Sequence, residues 1–176
     1  MVIGSDGTLL ASYRKVHLFS PLKEGANYHA GESIATFQLG GMTFGLAICY
    51  DLRFSPLFRV YATAGVECIL VPSAWPAIRM DAWELFIRTR AIENQIFVAG
   101  INTVGITPVD CYSGNSIVAG PSGTIISRAP EAEGITYADL DPAAIREARE
   151  AMHVEEDRNT GLYHDMARTV KRNSNP

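Results

Sequence analysis

The 176 residues are 47% hydrophobic and carry a formal charge of −4, enough apolar content for a buried core in one globular domain or part of one. Lysines and arginines are scattered rather than clustered, which excludes a nucleic-acid surface, and no apolar window nears the roughly 20 residues that cross a membrane. The opening "MVIGSDGTLL" lacks the charged start and long apolar core of a signal peptide; three cysteines, none close in sequence, point to reduced thiols and a cytoplasmic setting.

"MVI" and "TLLASYRKVHLF" flank the turn "GSDG" and predict a hairpin. Its first arm is so short that the chain opens midway through the hairpin, as a domain lacking upstream material would, or a short edge strand. An irregular loop, "SPLKEGANYHAGES", follows, and "IATFQLGGMTFGLAIC" predicts two strands turning at Gly40 and Gly41. "SPLFRVYATAG" has helical spacing, with Pro56 near its start and Gly65 as its stop. "VECILVPSAW" is the continuous apolar run of a strand buried on both faces. "RMDAWELFIRTRAIENQ" is the clearest helix, with an apolar side at Trp83, Phe86, Ile87, Ala91 and Ile92. "IFVAGINTVG" returns to strand, a loop spans 108–113, and "NSIVAGPSGTIISRA" predicts a hairpin turning at 121–123. "GITYADLD" predicts a last strand, and "PAAIREAREAM" a helix capped by Asp141 with Pro142 in its first turn. A polar tail, about 153–176, wraps over a neighbour or frays. Strands alternating with helices and hairpins give an α/β class with mixed sheets.

Cys49, in "GLAICYDLRF", falls at the carboxyl end of a buried strand, where ligands and catalytic groups of α/β folds collect. Backbone N–H groups at a strand-to-helix turn stabilise a thiolate or an oxyanion, so the residue is either a nucleophile or a buried, inert thiol. Cys68, inside "VECILV", fits the inert reading, and Cys111 sits in a loop that gives no signal. On a period-2 strand Tyr13, Lys15, His17 and Phe19 share one face. Lys15 and His17 then point together, with Glu24 or Glu32 as carboxylate partner, or else both are solvated. A papain-like pairing of His17 with Cys49 is possible on residue types, but no local signature surrounds the cysteine and a lysine stands beside the imidazole. The histidines and cysteines lack the spacings of a metal site, and no phosphate-binding loop is present. Arg53 and Asp51 are expected to form a buried structural pair, and Arg90 and Glu93 to bridge along their helix.

"YRKVHLF", "CYDLRF", "PSAW", "RTRAIENQ" and "YSGNSIVAGPSG", in that order, closely resemble the nitrilase superfamily of carbon–nitrogen hydrolases. The nearest likeness is to the branch containing omega-amidases, and it extends to "EEDRNTGLY". Departures are small: Gly120 replaces the usual acidic residue before the "PSG" proline, and Pro56 is displaced by Ser55. The resemblance implies a partial nitrilase-type α-β-β-α sandwich, a Glu–Lys–Cys triad, no cofactor, and a homodimer or higher homo-oligomer acting on a small-molecule amide, with no nucleic-acid or membrane partner. By motif, Lys15 corresponds to the triad lysine, Cys49 to the nucleophile, and Glu24 to an additional glutamate that orients them. The Tyr50 N–H falls at the oxyanion position, and Ser73, Ala74 and Trp75, then Tyr28 and Phe19, fall at the acyl pocket. The triad glutamate belongs to a segment ahead of "YRK", so the resemblance implies an N-terminally truncated domain. The expected reaction is hydrolysis of a linear ω-amide through a cysteinyl thioester, impaired in the chain alone. The alternatives are an inactive remnant that keeps the dimer surface, or a nitrile or N-carbamoyl hydrolase of the same superfamily.

Overall fold

Residues 1–169 are described by a computed structural model. The chain opens on the expected hairpin, β1 (Val2–Ile3) antiparallel to β2 (Leu9–Ala11). The second arm stops there, and residues 12–19 run without regular structure instead of continuing as a strand to Phe19. Side chains compete successfully for that backbone: the His17 N–H donates to Asp51 at 2.8 Å and the Phe19 N–H to Glu24 at 2.8 Å. Two single 3-10 turns follow, at Ser20–Leu22 and Glu24–Ala26.

Next come β3 (Thr36–Leu39) and β4 (Met42–Leu46), antiparallel across Gly40 and Gly41. Both glycines have positive φ (58° and 81°), as the two central residues of a primed hairpin turn require. The 3-10 turn Cys49–Arg53 leads into α1 (Ser55–Thr63), then β5 (Cys68–Ser73), α2 (Met80–Asn94) and β6 (Phe97–Asn102). A small hairpin, β7 (Val104–Ile106) with β8 (Cys111–Ser113), occupies part of the expected loop. Last come β9 (Ile117–Ala119), β10 (Ile125–Arg128) and α3 (Pro142–Ala151), with Asp141 capping the Ala143 N–H at 2.9 Å.

Six strands form one mixed sheet in the order β10-β9-β6-β5-β4-β3, with β4, β5 and β6 parallel. Period-2 alternation distributes its side chains. Ile69, Val71, Val98, Ile117 and Ala119 face α1 and α2. Met42, Cys68 and Phe97 meet Ile145 of α3 on the other face, and Phe37 and Leu46 meet Ala11 and Tyr13. At Gly45 and Gly100 the absent Cβ leaves room for Tyr61 and for Trp83 with Ile87. Within α2, Trp83, Ile87 and Ala91 are buried as the pattern predicts, whereas Ile92 is 51% exposed, on the outer face.

One further expectation is corrected. No strand forms over "GITYADLD": Ile135 and Tyr137 are 82% and 84% exposed, so no burial rewards an extended conformation. The tail contains α4 (Thr160–Thr169) and folds back on its own chain, through an Arg59–Glu155 ion pair and the Arg158 guanidinium on the Glu93 carbonyl at 2.7 Å. Residues 170–176 of that tail lie outside the described residues.

Candidate active site

The parallel strands deliver their carboxyl ends to one region, where β4 leads to Cys49, β5 to Ser73, Ala74 and Trp75, and β6 to Asn102. Cys49 begins the 3-10 turn with φ 47°, a left-handed conformation that costs a non-glycine residue about 1–3 kcal/mol and persists only where the surroundings impose it. Arg90 is one such constraint. Its guanidinium, 5% exposed, donates to the carbonyls of Leu52 and Arg53 at 3.1 Å each and bridges Glu93 at 2.9 Å, tying the end of the turn to α2.

A cleft of about 780 Å³ opens above the turn. Lys15, Glu24, Cys49, Tyr50, Ser73, Ala74, Trp75, Tyr28 and Phe19 all line it, so every sequence-predicted site residue is brought together. Lys15 Nζ lies 2.9 and 2.8 Å from the two Glu24 oxygens, making Glu24 its partner rather than Glu32. Burial pushes the Glu24 carboxyl upward, but the Lys15 hydrogen bond, the Phe19 N–H and the Lys15 charge together outweigh it and hold the group below its ordinary value.

Burial is also the largest influence on the Cys49 thiol and holds it above its ordinary value, against the pull of the Lys15 charge and the Tyr50 N–H. Backbone N–H groups alone therefore do not maintain a thiolate here. Burial thus favours the thiol over the thiolate at this position.

Lys15 and His17, expected to point together, diverge. His17 does not line the cleft; its Nδ1 lies 2.9 Å from Asp51 Oδ1, and its ring stacks on Phe54 with centroids 3.8 Å apart. That removes the papain-like pairing with Cys49. Asp51 does not pair with Arg53 either. The Arg53 guanidinium sits 5.0 Å over the Trp75 ring and 5.2 Å over Phe86, and it lines the cleft.

Sequence reasoning missed Asn102. Its side-chain oxygen accepts the Trp75 N–H at 2.7 Å, and its amide donates to the carbonyls of Trp75 at 3.1 Å and Gly114 at 2.8 Å. The available signal was register, since Asn102 is the parallel partner of Ser73 in "PSAW". Arg14 and Arg79 were missed as lining residues too, and neither has a carboxylate partner among the described residues. Among the described residues no cluster of three potential metal ligands occurs, and no helix is long and apolar enough to cross a membrane.

Residues 1–150 match the family model for carbon–nitrogen hydrolases. Over 92% of its length the chain is similar to 2-oxoglutaramate amidase of Bacillus subtilis (34% identity) and to human omega-amidase NIT2 (35% identity), and it spans 62% of the length of each. Among solved structures it is similar to a mutant amidase of Nesterenkonia sp. AN1, with TM-score 0.81 and 29% identity, over 93% of this chain and 59% of that one. That amidase carries the acetamide moiety of fluoroacetamide covalently at its active-site cysteine.

Proposed function

Because the chain belongs to the carbon–nitrogen hydrolase family, we propose that it carries the nucleophilic half of an ω-amidase site, which hydrolyses a small linear amide through a thioester on Cys49. The observation that carries this reading is a cysteine held at positive φ on the rim of a cleft it shares with a lysine–glutamate pair.

The chemistry is set by these groups. The Cys49 sulfur attacks the amide carbonyl carbon as its proton leaves to a carboxylate base. Negative charge gathers on the former carbonyl oxygen, where the Lys15 ammonium and the Tyr50 N–H stabilise it. The C–N bond then breaks, the base returns the proton to the departing nitrogen, and ammonia leaves a thioester. Water, deprotonated by the same base, attacks that thioester, releasing the carboxylic acid and restoring the thiol. Glu24 serves poorly as this base, because a carboxylate bound by a lysine and an N–H is too weak to take a thiol proton. Its role is to aim Lys15. The family resemblance puts the base on a strand ahead of Lys15, and the one carboxylate among residues 1–14, Asp6, is fully exposed, so residues 1–176 alone are expected to turn over slowly.

The substrate's far end carries a carboxylate. Arg14, Arg53 and Arg79 around the cleft, none with a carboxylate partner among the described residues, give it a net attraction for anions, and the name of 2-oxoglutaramate amidase agrees with that class. Trp75 and Phe19 wall the acyl chain, with Ser73, Ala74 and Tyr28 completing the pocket. The protein works in the cytoplasm as a homodimer, seated on the outer face of α2, where Leu85 and Ile92 are 63% and 51% exposed.

Fluoroacetamide tests the reading. Mass spectrometry should find saturable acetamide addition at Cys49, slowed by 2-oxoglutaramate. Non-saturable addition at Cys49 and Cys111 alike, without competition, would overturn it. Ready ω-amide turnover by the 176-residue chain, abolished by Cys49→Ala, would overturn the expectation of slow hydrolysis alone.

A further inference from the structure

Lys15 rides on a segment with no regular structure, and Cys49 on a turn at the end of β4. Something must hold the two in register, and one side chain bonds to both segments. Asp51 is fully buried. Its Oδ2 accepts the Tyr13 hydroxyl at 2.8 Å and the Ile48 N–H at 2.9 Å; its Oδ1 accepts the His17 N–H at 2.8 Å and lies 2.9 Å from His17 Nδ1. Tyr13 and His17 stand two residues to either side of Lys15. Ile48 immediately precedes Cys49, and Asp51 lies two residues after it. Four donors from two segments thus converge on one carboxylate, and the two reacting side chains lie between the points it fixes.

We propose that Asp51 is a positioning residue for the reaction, a buried carboxylate whose bonds to Tyr13, His17 and Ile48 set the Lys15 ammonium against the Cys49 sulfur. This deepens the amidase reading and rests on it. Several features agree. The Tyr13 hydroxyl, besides donating to Asp51, accepts the Val16 N–H at 3.4 Å, so the carboxylate orders the backbone on both sides of Lys15. Stacking of His17 on Phe54, at 5° between planes, closes the ring's other approach and leaves Asp51 to fix its orientation. The Asp51 N–H bonds back to the Ile48 carbonyl at 3.0 Å while its side chain takes the Ile48 N–H, a reciprocal pair that closes the turn carrying Cys49 at positive φ. Among the described residues no other carboxylate bonds to Tyr13, His17 or Ile48, and Glu24 holds Lys15 itself.

The three free cysteines supply the test. In the full chain, iodoacetamide alkylation is followed at each by peptide mass spectrometry across pH 6–10. Cys111, exposed, is the reference; Cys68, fully buried, reports any general loosening. Asp51→Asn keeps the shape but turns one acceptor into a donor facing donors. The expected result is about a tenfold loss of Cys49 alkylation relative to Cys111 at pH 8, with its pH profile moved upward and Cys68 still protected, because the sulfur no longer feels Lys15 at its proper place. If Cys68 becomes reactive, Tyr13→Phe replaces it as the test; it deletes one hydroxyl and should cost Cys49 about threefold with Cys68 protected. His17→Asn, which can still donate from the Nδ1 position, should recover most of the loss made by His17→Ala. Cys49 rates and profiles unchanged within twofold in Asp51→Asn or Tyr13→Phe, with Cys68 protected, would overturn the proposal. Failure of the amidase reading looks different: the alkylation pattern would shift as described while fluoroacetamide addition at Cys49 showed neither saturation nor competition.

Discussion

The Lys15 ammonium is bound by both oxygens of Glu24, at 2.9 and 2.8 Å, and the same carboxylate takes the Phe19 N–H. A bidentate grip of this kind removes the rotational freedom of a long, flexible side chain and leaves its charge aimed in one direction. Glu24→Gln keeps the volume but halves the grip. Its expected consequence is a fall in kcat/KM of about 10²-fold on a linear ω-amide, because displacement of a stabilising group by an ångström costs on that order, with KM little changed. Steady-state ammonia release measures both.

The same pair carries a pH signature. Glu24 ionises below its ordinary value of 4.5 in the folded chain, so it contributes stability above that pH and loses the contribution as the pH falls through its lowered value. Thermal unfolding between pH 5 and 3 should fall more steeply in the parent chain than in Glu24→Gln. Parallel curves would show that the pair adds nothing to stability.

The three thiols should separate by environment. Burial raises Cys68 to about 12 and holds Cys49 above its ordinary value, while Cys111 is exposed. At pH 7 the expected order of iodoacetamide labelling is Cys111, then Cys49, with Cys68 unreacted. Labelling of Cys49 ahead of Cys111 without substrate would mean that its thiolate is already formed, contrary to the burial that surrounds it.

Asn102→Ala strips the partners from the Trp75 N–H and from the Trp75 and Gly114 carbonyls together. Each polar group left without a partner costs about 1–3 kcal/mol. Because these bonds shape the pocket wall rather than the reacting atoms, KM should rise about tenfold while kcat changes less. An unaltered KM would detach Trp75 from substrate binding.

Gly100→Ala probes the core. A Cβ there would drive into Ile87 and Trp83, and the Trp83 indole is pinned by its bond to the Asn115 carbonyl at 2.8 Å. Overpacking of this kind costs about 1–3 kcal/mol, so differential scanning calorimetry should register a Tm lower by roughly 5 °C.

Much of this site was legible because buried parallel strands announce themselves. "GLAI" and "CILV" are unbroken apolar runs, and the residues just after the first stand at the carboxyl end of a strand, which pointed to Cys49; Ser73, Ala74 and Trp75, after the second, came from the family resemblance. The "YRKVHLF" stretch misled for a physical reason. Its alternation suits a strand, but besides Glu24 the acceptor that bends it away is Asp51, 34 and 38 residues further on from His17 and Tyr13, and no local pattern reveals a carboxylate reaching back that far. "GITYADLD" failed the other way: its alternation is sound, yet strand structure needs a neighbour, and Ile135 and Tyr137 have none to cover them. The stacking of Arg53 on Trp75 and Phe86 was equally invisible, because Asp51, two residues away, looked the nearer partner.

Between β2 and β3 the chain holds only two single 3-10 turns, and this stretch carries both Lys15 and Glu24. The sulfur, by contrast, is anchored to the central sheet. Segments secured by a few side-chain bonds open at lower free energy than strands in a packed sheet. Mild heat or denaturant should therefore abolish saturable fluoroacetamide addition at Cys49 while the far-ultraviolet circular dichroism is still native, and cooling should restore it. Loss of the site and melting of the sheet are thus expected at two separate temperatures.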